Sequence, residues 1–322
     1  MRRASDERVA EILLYALNKG DEAARETFDI KDDTLRRYND LYKKKHGTSV
    51  LDSSAALRKI GENYTPAELQ AIAKGGRVQP TNFKVPIINF EGDTTKFAFF
   101  SDPHTSSIYF IEEFWDKAIE WCIKEGVQFI VLGGDVTEGM DTTKDGHIYE
   151  LTHLGYKAQR DYGVEQLKKW PGIWKVIDGN HDRWYQKRNN AGAIIVEDIC
   201  ERVKGADFIG QDEGHINLQG IDICVFHGED GSSYAVSYRA QKIVEMYTGG
   251  EKPHMLLLGH AHKELSFFYR HVCVVSGGAM CKQSKHMRRH RLANHMGFHI
   301  IDVTIRDGQI CRFKKEWFPS YM

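Results

Sequence analysis

The sequence has almost no net charge and no long apolar run. Its 322 residues include 44 Lys and Arg against 45 Asp and Glu, a formal net charge of −1. Global charge therefore neither attracts nucleic acid nor excludes it as a partner. No stretch reaches the roughly 18 consecutive apolar residues of a membrane span, so we expect neither a membrane span nor a signal peptide.

Cysteine is sparse and shows no paired motif. The six cysteines lie far apart without a C-x-x-C pair, and most fall in apolar surroundings, where a thiol behaves as a small buried hydrophobe. This usage favours a reducing compartment, and we expect a cytoplasmic location. Internal repeats and low-complexity tracts are also absent from the sequence.

Residues 1 to about 80 show helical spacing without the alternation of strands. A helix over residues 21–28, a tight turn and a second helix over residues 33–45 are predicted. The second helix would bury Leu35, Tyr38 and Tyr42. Its other face carries the basic residues Arg36, Arg37, Lys43 and Lys44. This mix is typical of a recognition helix in a DNA groove, although a solvated helix face gives the same pattern.

The pattern changes at about residue 85. Before it, a short helix after Thr65-Pro66 and a linker at residues 75–82 are predicted. After it, strands alternate with amphipathic helices, which indicates a layered α/β domain. The predicted strands cover residues 96–100, 129–132, 174–177, 221–226, 255–258 and 272–275. The predicted helices lie near residues 111–125, 154–169, 192–203 and 234–247. Residues 298–305 and 309–318 should form a hairpin through an Asp-Gly turn.

Five apolar strands end in residues that bind metals. The segments read FAFFSDPH, FIVLGGD, KVIDGNHD, ICVFHG and MLLLGHAH. The metal-binding side chains at their ends are Asp102, His104, Asp135, Asn180, His227, His260 and His262. Because the carboxyl ends of strands in an open α/β sheet converge on one crevice, we expect these seven residues to meet. A neighbouring glycine lets the chain turn sharply at three of these ends.

The charge of this set favours phosphoester chemistry. Two divalent cations outweigh the carboxylates of Asp102 and Asp135, because Asn180 and the histidines bind as neutral groups. The remaining positive charge would hold a hydroxide and a phosphate oxygen together, as in two-metal phosphoester hydrolases.

The motifs D-x-H, GD, GNH-D/E, H and GH-x-H occur in this order within residues 96–263. In this respect the sequence resembles the calcineurin-like metallophosphoesterase superfamily. The resemblance implies an α/β fold, a layered sandwich of mixed sheets flanked by helices, at residues 85–322. A small all-α, helix-turn-helix-like domain would occupy residues 1–80.

The resemblance also implies a role for each residue of the motifs. It assigns one metal to Asp102, His104 and His262, the other to Asn180, His227 and His260, and the bridging position to Asp135. In the same family pattern, His181 stabilises the transition state or protonates the leaving oxygen, and Asp182 orients His181.

The motifs depart from the family pattern in two places. Pro103 separates the first two ligands and should restrict Asp102 to extended geometry, which a strand end already has. The second motif lacks the arginine that Ser/Thr protein phosphatases carry after GD, and the third ends in Asp182 where those enzymes have Glu. A protein phosphatase is therefore disfavoured.

Two segments favour a nucleic-acid substrate. Residues 281–295, the basic segment, contain three histidines, no acidic residue and the five cations Lys282, Lys285, Arg288, Arg289 and Arg291. This segment could neutralise a phosphate chain beside the crevice. Basic and aromatic residues interleave in Arg183-Trp184-Tyr185, as they do in single-strand stacking surfaces.

Each segment also has a structural interpretation, because basic loops pair with acidic neighbours and aromatic side chains pack beneath sites. The favoured function is a DNA nuclease resembling the phosphoesterase subunit of DNA double-strand-break repair complexes. The alternatives are a phosphoesterase for small nucleotides or phosphomonoesters and a non-catalytic DNA-binding protein. Two divalent ions are expected, with manganese favoured by the resemblance and iron or zinc equally compatible with the ligands. The sequence leaves a homo-oligomer open.

Overall fold

The computed structural model describes residues 6–46, 85–187, 193–229, 235–247 and 251–321. The chain divides into two compact units, Met1–Phe83 and Lys84–Met322. The helix predicted after Thr65-Pro66 and the linker predicted at residues 75–82 lie outside the described residues.

The described part of the first unit is helical. Its helices are α1 (Asp6–Lys19), α2 (Asp21–Phe28) and α3 (Asp32–His46). Asp29 ends α2 in a left-handed conformation, with φ of 48°. Leu35 is buried, and Tyr38 and Tyr42 pack against the same small core, as the spacing predicted. Because α3 buries this face, its charged face is left outside the core.

Two six-stranded sheets form the centre of the second unit. The strands of the first sheet are β1 (Ile87–Ile88), β6 (Glu213–Leu218), β7 (Ile221–Phe226), β8 (Met255–Leu258), β9 (Glu264–Tyr269) and β10 (Val272–Gly277). Those of the second are β2 (Thr94–Phe100), β3 (Phe129–Gly133), β4 (Ile173–Asp178), β5 (Ala206–Gln211), β11 (Gly297–Arg306) and β12 (Gln309–Pro319). The strand order is β1-β6-β7-β8-β10-β9 in the first sheet and β12-β11-β2-β3-β4-β5 in the second.

Both sheets mix parallel and antiparallel pairs. Strands β2 to β5 run parallel, β11 pairs antiparallel with β2, and β12 pairs antiparallel with β11. In the first sheet, β7, β8 and β10 are parallel. The carboxyl ends of β2, β3 and β4 in one sheet and of β7 and β8 in the other therefore border a common site.

The main core lies between the sheets. Phe97, Phe99 and Phe129 of the second sheet meet Val225 and Leu257 of the first. Since side chains alternate along a strand, the opposite faces are also apolar and are covered by helices. The helices of this unit are α4 (Glu112–Lys124), α5 (Tyr156–Lys168), α6 (Ile195–Glu201), α7 (Tyr238–Met246) and α8 (Lys285–Arg289).

The predicted strands and crossover helices are present, with ends shifted by a few residues. The Asp-Gly hairpin is formed by β11 and β12. Strands β5, β6 and β9 were not predicted, because their mixed polar and apolar residues lack the long apolar runs of the central strands. Strand β1 was not predicted either, because it is only two residues long. Within the described ranges, no helix has the length and apolar character needed to cross a membrane.

Candidate metal centre

The seven predicted ligands lie together where five strands end. Three groups have ligand atoms mutually within 4.8 Å: Asp102, His104 and His262; His104, Asp135 and His181; and Asp135, His227 and His260. Asn180 joins the last group through its side-chain oxygen. Residues up to 160 positions apart in sequence thus meet because both sheets direct their carboxyl ends to one place.

The first half of the site is formed after β2 and β8. His262 Nε2 lies 3.3 Å from Asp102 Oδ1 and 3.3 Å from His104 Nε2. Imidazole nitrogens and a carboxylate oxygen at this spacing are suited to bind one divalent cation.

The second half lies after β4, β7 and β8. Asn180 Oδ1 is 3.1 Å from His227 Nε2 and 2.9 Å from His260 Nδ1. Asp135 lies between the halves, since its Oδ2 is 3.6 Å from His104 Nε2 and 3.3 Å from His227 Nε2. This position suits a carboxylate shared by two cations.

The second ring nitrogen of three histidines is held by a neighbour. His104 Nδ1 lies 3.0 Å from Glu138 Oε2, an ion-pair distance without the alignment of a hydrogen bond. His227 Nδ1 is 2.8 Å from the Gly133 carbonyl oxygen, and His262 Nδ1 is 2.8 Å from Asn294 Oδ1. Such partners fix the ring and leave the other nitrogen for a metal. Sequence reasoning missed Glu138 and Asn294, which have no motif signal of their own beyond lying near GD and within the basic segment.

Burial and close charges shift the pKa values of the ligands. Burial raises the pKa of Asp102, but His262 more than offsets this and lowers it to about 2. Burial and His227 lower the pKa of His260 to about 4, which keeps this imidazole neutral and able to bind metal. For His227, the Asp135 carboxylate outweighs burial and raises the pKa to about 10. A bound cation would take the place of the proton that His227 and Asp135 share.

Five of the seven ligands have a left-handed backbone conformation. The φ angles are 52° for Asp102, 50° for His104, 47° for Asp135, 71° for His260 and 53° for His262. Each such residue costs on the order of 1 kcal/mol. The expectation that Pro103 keeps Asp102 extended is wrong, because the chain turns back at Asp102 to bring its carboxylate into the site.

Close packing explains the glycines beside the ligands. A Cβ on Gly134, whose φ is 92°, would lie 2.5 Å from His227 Nδ1. A Cβ on Gly179 would lie 2.3 Å from Asp135 Oδ1. These positions therefore exclude any side chain, as the sequence predicted for the turns after β3 and β4.

His181 lies beside the ligands and is held by Glu138. Its Nδ1 is 2.9 Å from the Glu138 carbonyl oxygen and 3.4 Å from the Glu138 carboxylate. Its ring meets that of His104 edge to face, with centroids 4.6 Å apart. Because Nδ1 is engaged, Nε2 is the nitrogen left for a substrate.

Asp182 does not touch the His181 ring in the way that the resemblance implied. Its carboxylate accepts hydrogen bonds from the backbone N–H groups of Val136, Thr137 and Gly179 and from the Thr137 hydroxyl. Asp182 therefore ties the loop after β3 to the loop after β4. The ring itself is oriented by Glu138, three residues after Asp135.

A cleft of about 610 Å³ opens over the ligands. Trp184 lines this cleft. The centroid of its ring is 4.0 Å from that of His181, and the Lys144 ammonium lies 4.0 Å from the Trp184 ring centroid. From the basic segment, Lys282 and His286 line the same cleft. Lys144, in the segment between β3 and α5, carried no sequence signal.

The other predicted nucleic-acid contacts lie in different places. Lys285, Arg288, Arg289 and Arg291 are exposed but do not line the cleft. Arg183 is unsuitable, because its guanidinium donates to Asp212 at 3.1 Å and Glu229 at 2.8 Å. In the first unit, the exposed cations of α3 are Arg36, Arg37 and Lys44, while the side chain of Lys43 lies outside the described atoms.

Known proteins match this chain over the same region. A family model described as calcineurin-like phosphoesterase matches residues 95–264. The DNA polymerase II small subunit of Archaeoglobus fulgidus is 22% identical over 266 residues, covering 68% of this chain and 54% of that protein. The chain thus spans about half the length of this curated relative.

Solved structures of low sequence identity are also similar. An archaeal phosphodiesterase is 14% identical, with a TM-score of 0.43, and covers 70% of this chain and 100% of its own. The phosphoesterase Yfce from E. coli is 16% identical, with a TM-score of 0.39, and covers 68% of this chain and 98% of its own.

Proposed function

The chain belongs to the calcineurin-like phosphoesterase family, and we propose that it is a metal-dependent hydrolase, namely a two-metal phosphodiesterase acting on DNA. One observation carries this proposal. Four of the seven ligands, His104, Asp135, His260 and His262, line a single cleft together with cationic and aromatic side chains, among them Lys144, Lys282 and Trp184. Such a cleft can bind a phosphate chain where the hydrolytic groups lie.

Different residues of the site would bind the metals, donate a proton and position these groups. Bound to the seven ligands, two divalent cations would supply the positive charge that activates water and stabilises the phosphate oxygens. His181 Nε2 donates a proton to the leaving oxygen. Glu138 keeps the ring in place through Nδ1, and Asp182 keeps the two ligand loops together.

Charge around the cleft supports a polyanionic substrate. The pKa of His286 is lowered by burial, by His290 and by Lys144. Lys144 and His286 both line the cleft, alongside the acidic residues Asp145 and Glu150. An anion bound near the two basic groups would relieve their mutual repulsion. The exposed cations of the basic segment would extend this attraction along a strand. Similarity to a DNA polymerase small subunit supports DNA over RNA.

Manganese is the proposed metal. The seven ligands offer nitrogen and oxygen without a thiolate, a set that admits manganese, iron or zinc. A phosphodiesterase for small nucleotides is the second candidate, because a cleft of about 610 Å³ falls in the size range of small-molecule sites.

A products gel with manganese tests the proposal. Purified protein would be incubated with single-stranded DNA, duplex DNA, RNA and a chromogenic phosphodiester. We expect cleavage of DNA and of the chromogenic diester, and a complete stop in chelator. Hydrolysis of the small diester with all three polymers intact would favour the second candidate, and turnover that survives the chelator would remove the metal mechanism.

We also propose that α3 contacts duplex DNA through Arg36 and Arg37, which are exposed. The double variant Arg36→Glu/Arg37→Glu should bind duplex DNA more weakly and with a smaller salt dependence, while hydrolysing the small diester normally. If this variant and the native protein bind duplex DNA equally, α3 does not contact DNA and its charged face is only exposed to solvent.

A further inference from the structure

A second cluster of possible metal ligands lies outside the cleft, on strands β6 and β7. In their antiparallel register, His215 is opposite Cys224 and Asn217 is opposite Asp222. Because side chains alternate along a strand, Glu213 and His215 share one face of the sheet with Cys224 and Asp222. The other face of these strands enters the core between the sheets. This cluster is therefore on the outer face, and its residues do not line the cleft.

The distances within the cluster match those between ligands of one ion. Glu213 Oε1 lies 3.0 Å from His215 Nε2 and 3.6 Å from Cys224 Sγ, and all three ligand atoms are mutually within 4.8 Å. Ligands of a tetrahedral zinc ion, bound at about 2.0 to 2.3 Å, are separated by similar distances. The Tyr247 hydroxyl, 3.2 Å from Cys224 Sγ, lies beside the same point.

Asp222 supplies the partner that a metal-binding histidine requires. Its Oδ1 lies 3.2 Å from His215 Nδ1, on the far side of the ring from Glu213. A carboxylate in this position accepts the Nδ1 proton, fixes the tautomer and leaves Nε2 for a metal. The arrangement repeats the way in which Asn294 holds His262 in the cleft.

We propose that Glu213, His215 and Cys224 form a separate site for a single zinc ion, with Asp222 orienting His215. Water or the Tyr247 phenol completes the coordination. On binding, the Cys224 thiol loses its proton to solvent and becomes a thiolate. The Cys224 side chain is fully buried and the Glu213 side chain is 43% exposed, so the ion reaches the site from the Glu213 side. Its role is structural, because it joins β6 to β7.

Cobalt substitution separates this site from the cleft. A thiolate bound to Co²⁺ gives a charge-transfer band in the near ultraviolet, whereas the seven ligands of the cleft are nitrogen and oxygen donors. We expect full-length protein titrated with Co²⁺ to show the band and Cys224→Ser to lose it. Cys281→Ser should keep the band and serves as the matched control, since Cys281 is buried and lines the cleft. No band in the native protein, or a band lost only in Cys281→Ser, would overturn the proposal.

Two further variants keep the test decisive if Cys224→Ser does not fold. Asp222→Asn preserves the shape of the cluster and should weaken Co²⁺ binding at this site by about 10- to 100-fold. Asp135→Asn should lose hydrolysis and retain the band, so that failure of the zinc site and failure of the proposed function give different results. Unchanged Co²⁺ affinity of the thiolate band in Asp222→Asn would contradict the role given to Asp222.

Discussion

The metal-ligand set and the basic segment border one cleft but are built in opposite ways. Asp102 and Asp135 are buried and held by neighbouring loops, whereas Arg288 and Arg289 are exposed on the short helix α8. Buried ligands in fixed conformations bind a cation with little reorganisation, and each is difficult to replace. Exposed cations act together through a field that salt screens. Changes in the ligand set should therefore abolish hydrolysis, and changes in the basic segment should only weaken substrate binding.

The largest effect is expected from Asp135→Asn. Loss of the carboxylate shared by both halves should reduce kcat by about 10⁴-fold, which corresponds to several kcal/mol of transition-state stabilisation. Metal analysis should show fewer bound ions, and circular dichroism should be unchanged. Asp161→Asn, an exposed carboxylate on α5, is the control. Near-normal kcat in Asp135→Asn would mean that Asp135 does not bridge two metals.

His181→Ala should show the next largest effect. Removing the proton donor should lower kcat on the order of 10³-fold while both metals remain bound. Turnover of a chromogenic diester and metal analysis on the same samples would check this, with exposed His271→Ala as the control. Loss of metal from His181→Ala would instead make His181 a ligand.

Glu138→Gln should move the pH profile. Burial lowers the pKa of His181, but Asp135 and Glu138 more than offset this and raise it above its ordinary value. If hydrolysis requires protonated His181, kcat is maximal below the pKa of His181 and falls as the pH rises through it. Without the Glu138 charge, the pKa falls and the alkaline limb of kcat should shift to lower pH, with kcat reduced by about 10- to 100-fold. Glu120→Gln serves as the control. If the alkaline limb of the kcat profile does not move in Glu138→Gln, Glu138 does not set the pKa of the catalytic acid His181.

The smallest effect is expected from Arg288→Ala/Arg289→Ala. KM for single-stranded DNA should rise several-fold, kcat should stay within about twofold, and the salt slope should fall by up to about 1.4. Kinetics at several salt concentrations would measure this, with Lys157→Ala/Lys168→Ala on α5 as the matched control. A large fall in kcat would contradict the different roles given to the buried ligands and to the exposed cations of the basic segment.

The difference between buried ligands and exposed segments also explains which parts of the structure could be predicted from the sequence. The ligands follow apolar runs in β2, β3, β4, β7 and β8, so their identity and meeting place were readable. Strands β5 and β9 lie at sheet edges and are only partly buried, and their mixed composition hid them. Contacts between distant loops were not readable either, because they depend on how each loop turns.

Three residues illustrate this limit. Glu138 follows the GD motif without a signal of its own, although its carboxylate lies near His104 and its carbonyl oxygen near His181. Asn294 lies within the basic segment and has no motif signal of its own, although it holds His262. Arg183 looked available to nucleic acid, but acidic residues from two other segments pair with it. In each case the partner comes from a part of the chain that local sequence does not identify.

The left-handed ligand loops link the lifetime of the protein to the supply of its metal. Conformations that are unfavourable for Asp and His persist only while the surrounding structure holds them. Ions that bind the folded chain and not the unfolded one shift the folding equilibrium by mass action. Metal starvation should therefore lower the melting temperature and expose the chain to proteases, so that a cell short of the ion would keep less of the protein.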